Sequence, residues 1–258
     1  MSWDPTQYLR FADHRTRPAL ELLARIEAGA PRLVVDLGCG AGNVTAYLRA
    51  RWPQARIVAV DSSPQMLDRA RRDHPDIGVE WIEADASAWT PDDDVDVIYS
   101  NALVHWLDEH DQLLPRWLGY LEPTGELALQ MPRNHARPSH TCAVEAAAAG
   151  PWAERLRSLV RPEPVGSPRT YHRLLAPLAR RIDLWETDYV HALAGPDAVV
   201  EWTRGSLLRP LLAVLDDVEA VAFEDEYRAR VRDAYPAEPD GTVLMPFRRL
   251  FLVAARGD

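Results

Sequence analysis

The pattern of apolar and polar positions changes at about residue 131. Before that point, short β-branched and aliphatic runs alternate with segments whose apolar positions recur at helical spacing. Residues 33–36 (Leu-Val-Val-Asp), 57–60, 79–82, 95–99 and 127–131 read as strands. Residues 43–52 and 64–72 read as helices, the second opening on Pro64, whose missing N–H costs nothing at a first helical position. Strands alternating with helices need right-handed crossovers, and hence a parallel sheet covered by helices.

Beyond residue 131 the order is looser. Residues 132–138 read as a polar loop, 143–149 as a helix and 161–168 as a proline-rich connection. One more strand is expected over 182–190, and a mostly helical stretch over 196–235, broken at Arg209-Pro210. Residues 248–254 (Arg-Arg-Leu-Phe-Leu-Val-Ala) read as a last, buried strand. No internal repeat or long linker appears. The expectation is a single α/β domain over residues 1–258, with a seven-stranded sheet. Its core would take about 30–135, 180–192 and 245–256, and a helical cap would be inserted at about 136–178 and 195–240.

The most specific local feature is the turn after the first strand, Asp36-Leu37-Gly38-Cys39-Gly40-Ala41-Gly42-Asn43. Glycines there let bare backbone approach a ligand at the carboxyl edge of the sheet. A dinucleotide-binding turn would want its third glycine at the position of Asn43, so the spacing disfavours an NAD-dependent oxidoreductase. Further polar residues close the other strands in order: Asp61 with Ser62, Asp85 with Ala86, and Asn101.

This series resembles the motifs of class I S-adenosyl-L-methionine (SAM)-dependent methyltransferases. The resemblance implies a Rossmann-like seven-stranded sheet with a helical cap, and SAM as cofactor. It implies that Asp36, Gly38, Gly40, Asp61, Ser62, Met66, Asp85, Ala86, Asn101 and Trp106 hold the cofactor, with Arg15 on its carboxylate.

The flanking segments narrow the resemblance. Trp3-Asp4-Pro5, residues 15–19 (Arg-Thr-Arg-Pro-Ala), Gln130-Met131-Pro132, Leu208-Arg209-Pro210 and residues 247–251 (Phe-Arg-Arg-Leu-Phe) are similar to the trans-aconitate 2-methyltransferase family. That implies O-methylation of a small tricarboxylate. Other readings of the same motifs are a methyltransferase for another small carboxylic acid, or a SAM-binding protein without turnover.

Composition bears on that choice in one respect. The chain carries 29 Lys+Arg, and every one is arginine. Schiff-base chemistry and a Walker lysine are therefore excluded. Any carboxylate clamp must use arginine or histidine, and arginine's planar fork suits the task. Arg17 and Arg209 are the arginine candidates for acceptor binding, with Arg133, His135 and Arg204 behind them. Tyr8, Tyr171 and Trp202 are expected to close the pocket, and His105 to contact the acceptor. A carboxylate acceptor is already ionised near neutral pH, so no catalytic residue is expected beyond those that position the reactants.

The remaining expectations are general. A net charge of −10 argues against nucleic acid as a partner. No stretch suits a membrane span or a secretory signal, and Cys39 and Cys142 form no framework, so a cytoplasmic monomer or homodimer is expected. The histidines are scattered and no metal site is expected.

Overall fold

The computed structural model describes residues 16–161 and 163–257. Tyr8 and Arg15 lie outside the described residues. Elements follow in the order α1 (Thr16–Ala24), β1 (Leu33–Leu37), α2 (Thr45–Arg51), β2 (Arg56–Asp61), α3 (Pro64–Asp73), β3 (Val79–Glu83) and β4 (Val95–Asn101). A 3-10 turn (Val104–Trp106), α4 (His110–Gly119), β5 (Leu121–Pro132), α5 (Pro138–Ala149), α6 (Ala153–Leu156) and α7 (Pro168–Leu175) come next. The chain ends with β6 (Ala179–Ala194), α8 (Ala198–Arg204), α9 (Arg209–Leu212), α10 (Asp217–Ala234) and β7 (Thr242–Arg256).

The strands form one seven-stranded sheet in the order β3-β2-β1-β4-β5-β7-β6. Strand β1 is buried at every residue and pairs in parallel with β2 and β4 on its two sides. Its continuous Leu-Val-Val run is what a strand covered on both faces requires. The sheet order steps outward in both directions from β1, so a crevice opens at the carboxyl ends of β1 and β4.

Several bounds differ from the pattern reading, each for a physical reason. Strand β5 begins six residues earlier than expected, at Leu121, because Leu121 pairs with Val95 before a register shift absorbs the Pro123-Thr124-Gly125 stretch. Helices α1 and α4 have no counterpart in the pattern reading. Helix α4 contains Pro115, which reads as a breaker, but Leu113, Leu114, Trp117 and Leu118 bury one face and hold the helix together. The loop expected at residues 132–138 ends where Pro138 opens α5. Pro210 does not break a helix: it sits in the first turn of the short α9.

The described residues divide into two compact units. One takes residues up to Pro132, Gly166–Glu186 and those from Leu250; the other takes Arg133–Val165 and Thr187–Arg249. Residues 166–178, which the sequence assigns to the cap, thus fall in the unit that contains β1 to β5. The second unit has its own core, built from Cys142, Ala146, Trp152, Phe223, Tyr227 and Met245 among others. Its longest helix, α10, starts from a capping box in which Asp216 and Glu219 each accept from the other's backbone N–H.

Candidate active site

The turn between β1 and α2 is pinned from beneath. The amides of Gly38 and Cys39 both donate to the Val60 carbonyl, at 2.8 and 3.1 Å, tying the turn to the end of β2. The Gly40 amide donates to Asp61 Oδ2 at 2.8 Å, and the Ser63 amide to Asp61 Oδ1 at 2.9 Å. Each Asp61 oxygen thus holds one backbone donor and keeps a further lone pair for a ligand hydroxyl.

The glycines play different parts. Gly38 has φ +76°, and a Cβ there would strike Leu103 at 2.8 Å, so neighbouring structure excludes a side chain. Gly40 has φ +55° and nothing within 4 Å of where its Cβ would lie. The space beside Gly40 is open, which is what a ligand approaching bare backbone needs.

That space belongs to a cavity of about 200 Å³ whose walls include Asp36, Gly38, Gly40 and Asn101. Thr16, Cys39, Ala41, Asn43 and Val44 also line it. In the sequence Asn43 serves only to separate two cofactor classes, and the other four carry no signal. Backbone proximity around a tight turn, rather than side-chain chemistry, brings all but Thr16 there; Thr16 comes from the start of α1.

Asp36 is 2% exposed, and its Oδ2 accepts from Thr45 Oγ1 at 2.6 Å. Burial pushes its carboxyl up to about 7; the Thr45 hydroxyl opposes that shift and the nearby Asp61 charge adds to it. Asn101 ends β4, in register with Gln130. Its Oδ1 is buried with no hydrogen-bond partner among the described residues. Ala102 follows with φ +58°, a conformation costly for a residue with a side chain. An unsatisfied carbonyl beside a strained backbone, at the cavity wall, marks a place shaped for a ligand that donates hydrogen bonds.

The other expected cofactor residues are not on that wall. Asp85 Oδ1 accepts from the amide and the hydroxyl of Ser87, both at 2.8 Å, stabilising the turn after β3. Ala86 is buried, Ser62 is exposed, and Met66 and Trp106 are 41% and 49% exposed. The Trp106 ring lies 4.8 Å from that of His105.

Among the expected acceptor residues, Arg17 is exposed and pairs with Glu21 at 2.8 Å within α1. Tyr171 is 1% exposed, and its hydroxyl sits between His110 Nδ1 (2.9 Å) and the Gly166 amide (3.1 Å) inside the first unit. In the second unit, Trp202 packs against His191, with ring centroids 4.7 Å apart. Arg204 is held by Glu224 at 2.7 Å and Glu201 at 3.3 Å. His135 faces Glu163 at 3.5 Å, and Arg133 is tied through its amide to the Arg248 carbonyl at 2.9 Å. Arg209 is exposed at the start of α9, and no carboxylate pairs with it among the described residues. Arg249, to which the sequence reading gives no binding role, is 5% exposed and lies 4.8 Å above the Phe247 ring. An arginine on a strand face otherwise filled by Val243, Met245 and Phe247 has no sequence signature beyond its alternation.

A second cavity, of about 250 Å³, opens at the amino ends of the strands between Glu27, Asp96, Glu126 and Arg180. Its acids Asp96 and Glu126 accept from backbone amides, and the turn chemistry is at the opposite edge.

A seven-stranded sheet that is parallel from β3 through β5, with its glycine turn and acidic strand ends at the carboxyl edge, defines the class I methyltransferase architecture. Residues 34–125 match the methyltransferase domain family model. The chain is similar over 93% of its length to a phosphoethanolamine N-methyltransferase of Haemonchus contortus, solved with S-adenosylhomocysteine, at 13% identity and a TM-score of 0.55. It spans about half, 52%, of that protein. Nearer in sequence is a trans-aconitate 2-methyltransferase of Azoarcus sp., 49% identical over 99% of both chains. Another, from Methylobacterium radiotolerans, is 45% identical over 98% of both. The chain belongs to the trans-aconitate 2-methyltransferase family. No helix among the described residues is long and apolar enough to cross a membrane.

Proposed function

We propose that this protein is a SAM-dependent methyltransferase that esterifies one carboxylate of trans-aconitate and releases S-adenosylhomocysteine. The observation that carries this reading is the similarity over 99% of the chain, which takes in the second unit as well as the sheet. A bare methyltransferase core would match only the part around the glycine turn.

The residues in and beside the cavity fit such a cofactor. Asp61, fixed by two backbone amides, is placed to accept ribose hydroxyls, and Asn101 Oδ1 to accept an N–H. Gly40 gives the ligand room against the turn. When bound, SAM supplies a methyl group on a positively charged sulfur, ready for in-line displacement.

The protein's own part is positional. A tricarboxylate is ionised near pH 7, so the attacking oxygen needs no base and His105 is assigned contact rather than proton transfer. The carboxylates that do not react need fixed cations, and Arg209 is the proposed first partner because no acid neutralises it among the described residues. Arg17 and Arg133 are weaker candidates. The substrate is a small molecule, and we assign no nucleic-acid or membrane partner and a cytoplasmic monomer or homodimer.

The test is a panel of trans-aconitate, cis-aconitate, citrate and isocitrate with labelled SAM. Transfer to trans-aconitate at least tenfold above the others is expected; transfer to another acid but not to trans-aconitate refutes the assignment. In the same assay Arg209→Ala should raise KM for the acceptor by the equivalent of about 2–5 kcal/mol with cofactor affinity unchanged. Equal losses for both ligands would make Arg209 structural.

A further inference from the structure

The loop that leaves β4 is held between two costly backbone conformations. Among the described residues Asp76, Ala102 and Glu109 are the non-glycine residues with positive φ. Two of them bracket this loop, Ala102 at +58° and Glu109 at +52°. A side chain disfavours that region, so such residues persist only where the surroundings hold them. Between them lies the 3-10 turn Val104–Trp106, with Val104 fully buried and Trp106 49% exposed. His105 and Trp106 are the residues of this loop expected to meet the acceptor and the cofactor.

A chain of three hydrogen bonds through side chains helps to hold the loop, all inside the first unit. The Gly166 amide donates to the Tyr171 hydroxyl oxygen at 3.1 Å. That hydroxyl faces His110 Nδ1 at 2.9 Å, and His110 Nε2 lies 2.8 Å from the Val104 carbonyl. A carbonyl only accepts, so Nε2 carries a proton. The neutral ring then presents Nδ1 as an acceptor, and the Tyr171 hydroxyl, with the Gly166 amide on its oxygen, donates to it. The bonds therefore run one way, from Gly166 through α7 and α4 to the loop, and Tyr171 sets the tautomer of His110. The Val104 carbonyl also accepts from the Leu107 amide at 3.0 Å, so the imidazole grips an oxygen that closes the turn.

A tether at this place reaches both reactants at once, because the two expected contacts sit side by side on the turn. In an in-line transfer a displacement of about 1 Å is enough to slow the reaction markedly. We propose that His110, in the Nε2–H tautomer set by Tyr171, is a positioning residue for methyl transfer, holding the loop that carries His105 and Trp106. The inference rests on the SAM-dependent function proposed above. Tyr171, expected from the sequence to close the pocket, then acts through His110.

The experiment compares His110→Gln with His110→Asn, using the acid that the wild type methylates. Active sites are counted by S-adenosylhomocysteine titration, and melting temperatures are recorded beside the kinetics. The glutamine amide nitrogen reaches close to the place of Nε2 and donates to Val104; the shorter asparagine does not reach. His110→Asn should lower kcat per active site by at least about tenfold, and His110→Gln should restore it to within about threefold of wild type. A merely structural tether would lower the melting temperature and the number of active sites but leave kcat per site unchanged. That result, or equal losses of kcat in the two variants, overturns the proposal.

Should either variant fail to fold, Tyr171→Phe and NMR of the wild type decide. Loss of the hydroxyl should lower kcat per site by at least about threefold, and proton–nitrogen correlations should find the neutral His110 ring protonated at Nε2. An unchanged kcat, or a ring protonated at Nδ1 alone, overturns the proposal. Wild-type protein that binds S-adenosylhomocysteine but methylates no acid would instead overturn the proposed function, and this role with it.

Discussion

The two edges of one sheet treat buried acids in opposite ways. At the amino edge Glu126 is 2% exposed, yet both its oxygens are engaged. Oε2 accepts from the amides of Glu27 (2.7 Å) and Ala28 (3.0 Å), and Oε1 pairs with Arg181. Asp96 likewise accepts from the amides of Arg32 at 3.0 Å and Leu33 at 2.9 Å. At the carboxyl edge Asp36 is equally buried, but the donor that meets it is the neutral Thr45 hydroxyl, and Asn101 Oδ1 has none among the described residues. Compensated acids make scaffold. Uncompensated ones hold free energy that a ligand can release. The difference separates stability from function within a single unit, although both edges present cavities of similar size.

The contrast can be broken most forcefully at the amino edge. Glu126→Ala should destabilise the protein by about 3–5 kcal/mol, because it strips two amides and the half-buried Arg181 of a shared buried acceptor at once, leaving Arg181 only Glu27. Denaturant unfolding measures this, and a loss below about 1 kcal/mol would mean that the edge is less rigid than its hydrogen bonds imply.

Asp36 should act in the reverse sense and with pH. Its folded pKa of about 7 exceeds the ordinary value of 3.8, so the folded protein binds this proton more tightly than the unfolded chain. Stability must then fall as pH rises from about 4 to 7 and stay lowered above that. Asp36→Asn removes the effect and, relative to wild type, should gain about 2–4 kcal/mol at pH 8 over its difference at pH 4. Melting curves of both proteins across that range test the sign, and a flat difference would show that the carboxyl is solvated.

The smallest effect is expected at Asn101. Asn101→Leu removes an unsatisfied acceptor, so stability should stay within about 1 kcal/mol of wild type or rise, while cofactor affinity falls at least tenfold. A variant that is both clearly destabilised and unaltered in binding would place Asn101 in the scaffold after all.

How legible these regions are in the sequence depends on how local their determinants are. Strands β1 to β4 and the glycine turn are readable because each is specified within a few residues: an apolar run, a glycine, a closing acid. Helix α4 is not, since Pro115 argues against it and only burial of Leu114 and Trp117 overrides that. The sequence leaves Trp202 open between pocket and core, and its neighbours His191 and Phe247, residues 11 and 45 positions away, are visible only in the fold. Arg249 escapes the sequence reading because nothing local distinguishes a buried arginine from an exposed one.

The sequence by itself determined the order of strands and helices around β1, the glycine turn after it, and the restriction of every cation to arginine or histidine. These follow from steric and chemical properties carried by residues close together in the chain. Only the tertiary structure decided which buried acids are neutralised and which are not. Thr45 and Asp61 act on Asp36 from two separate elements and Asn101 lines the same cavity from a third, and burial and charge act through space, whatever the separation along the chain.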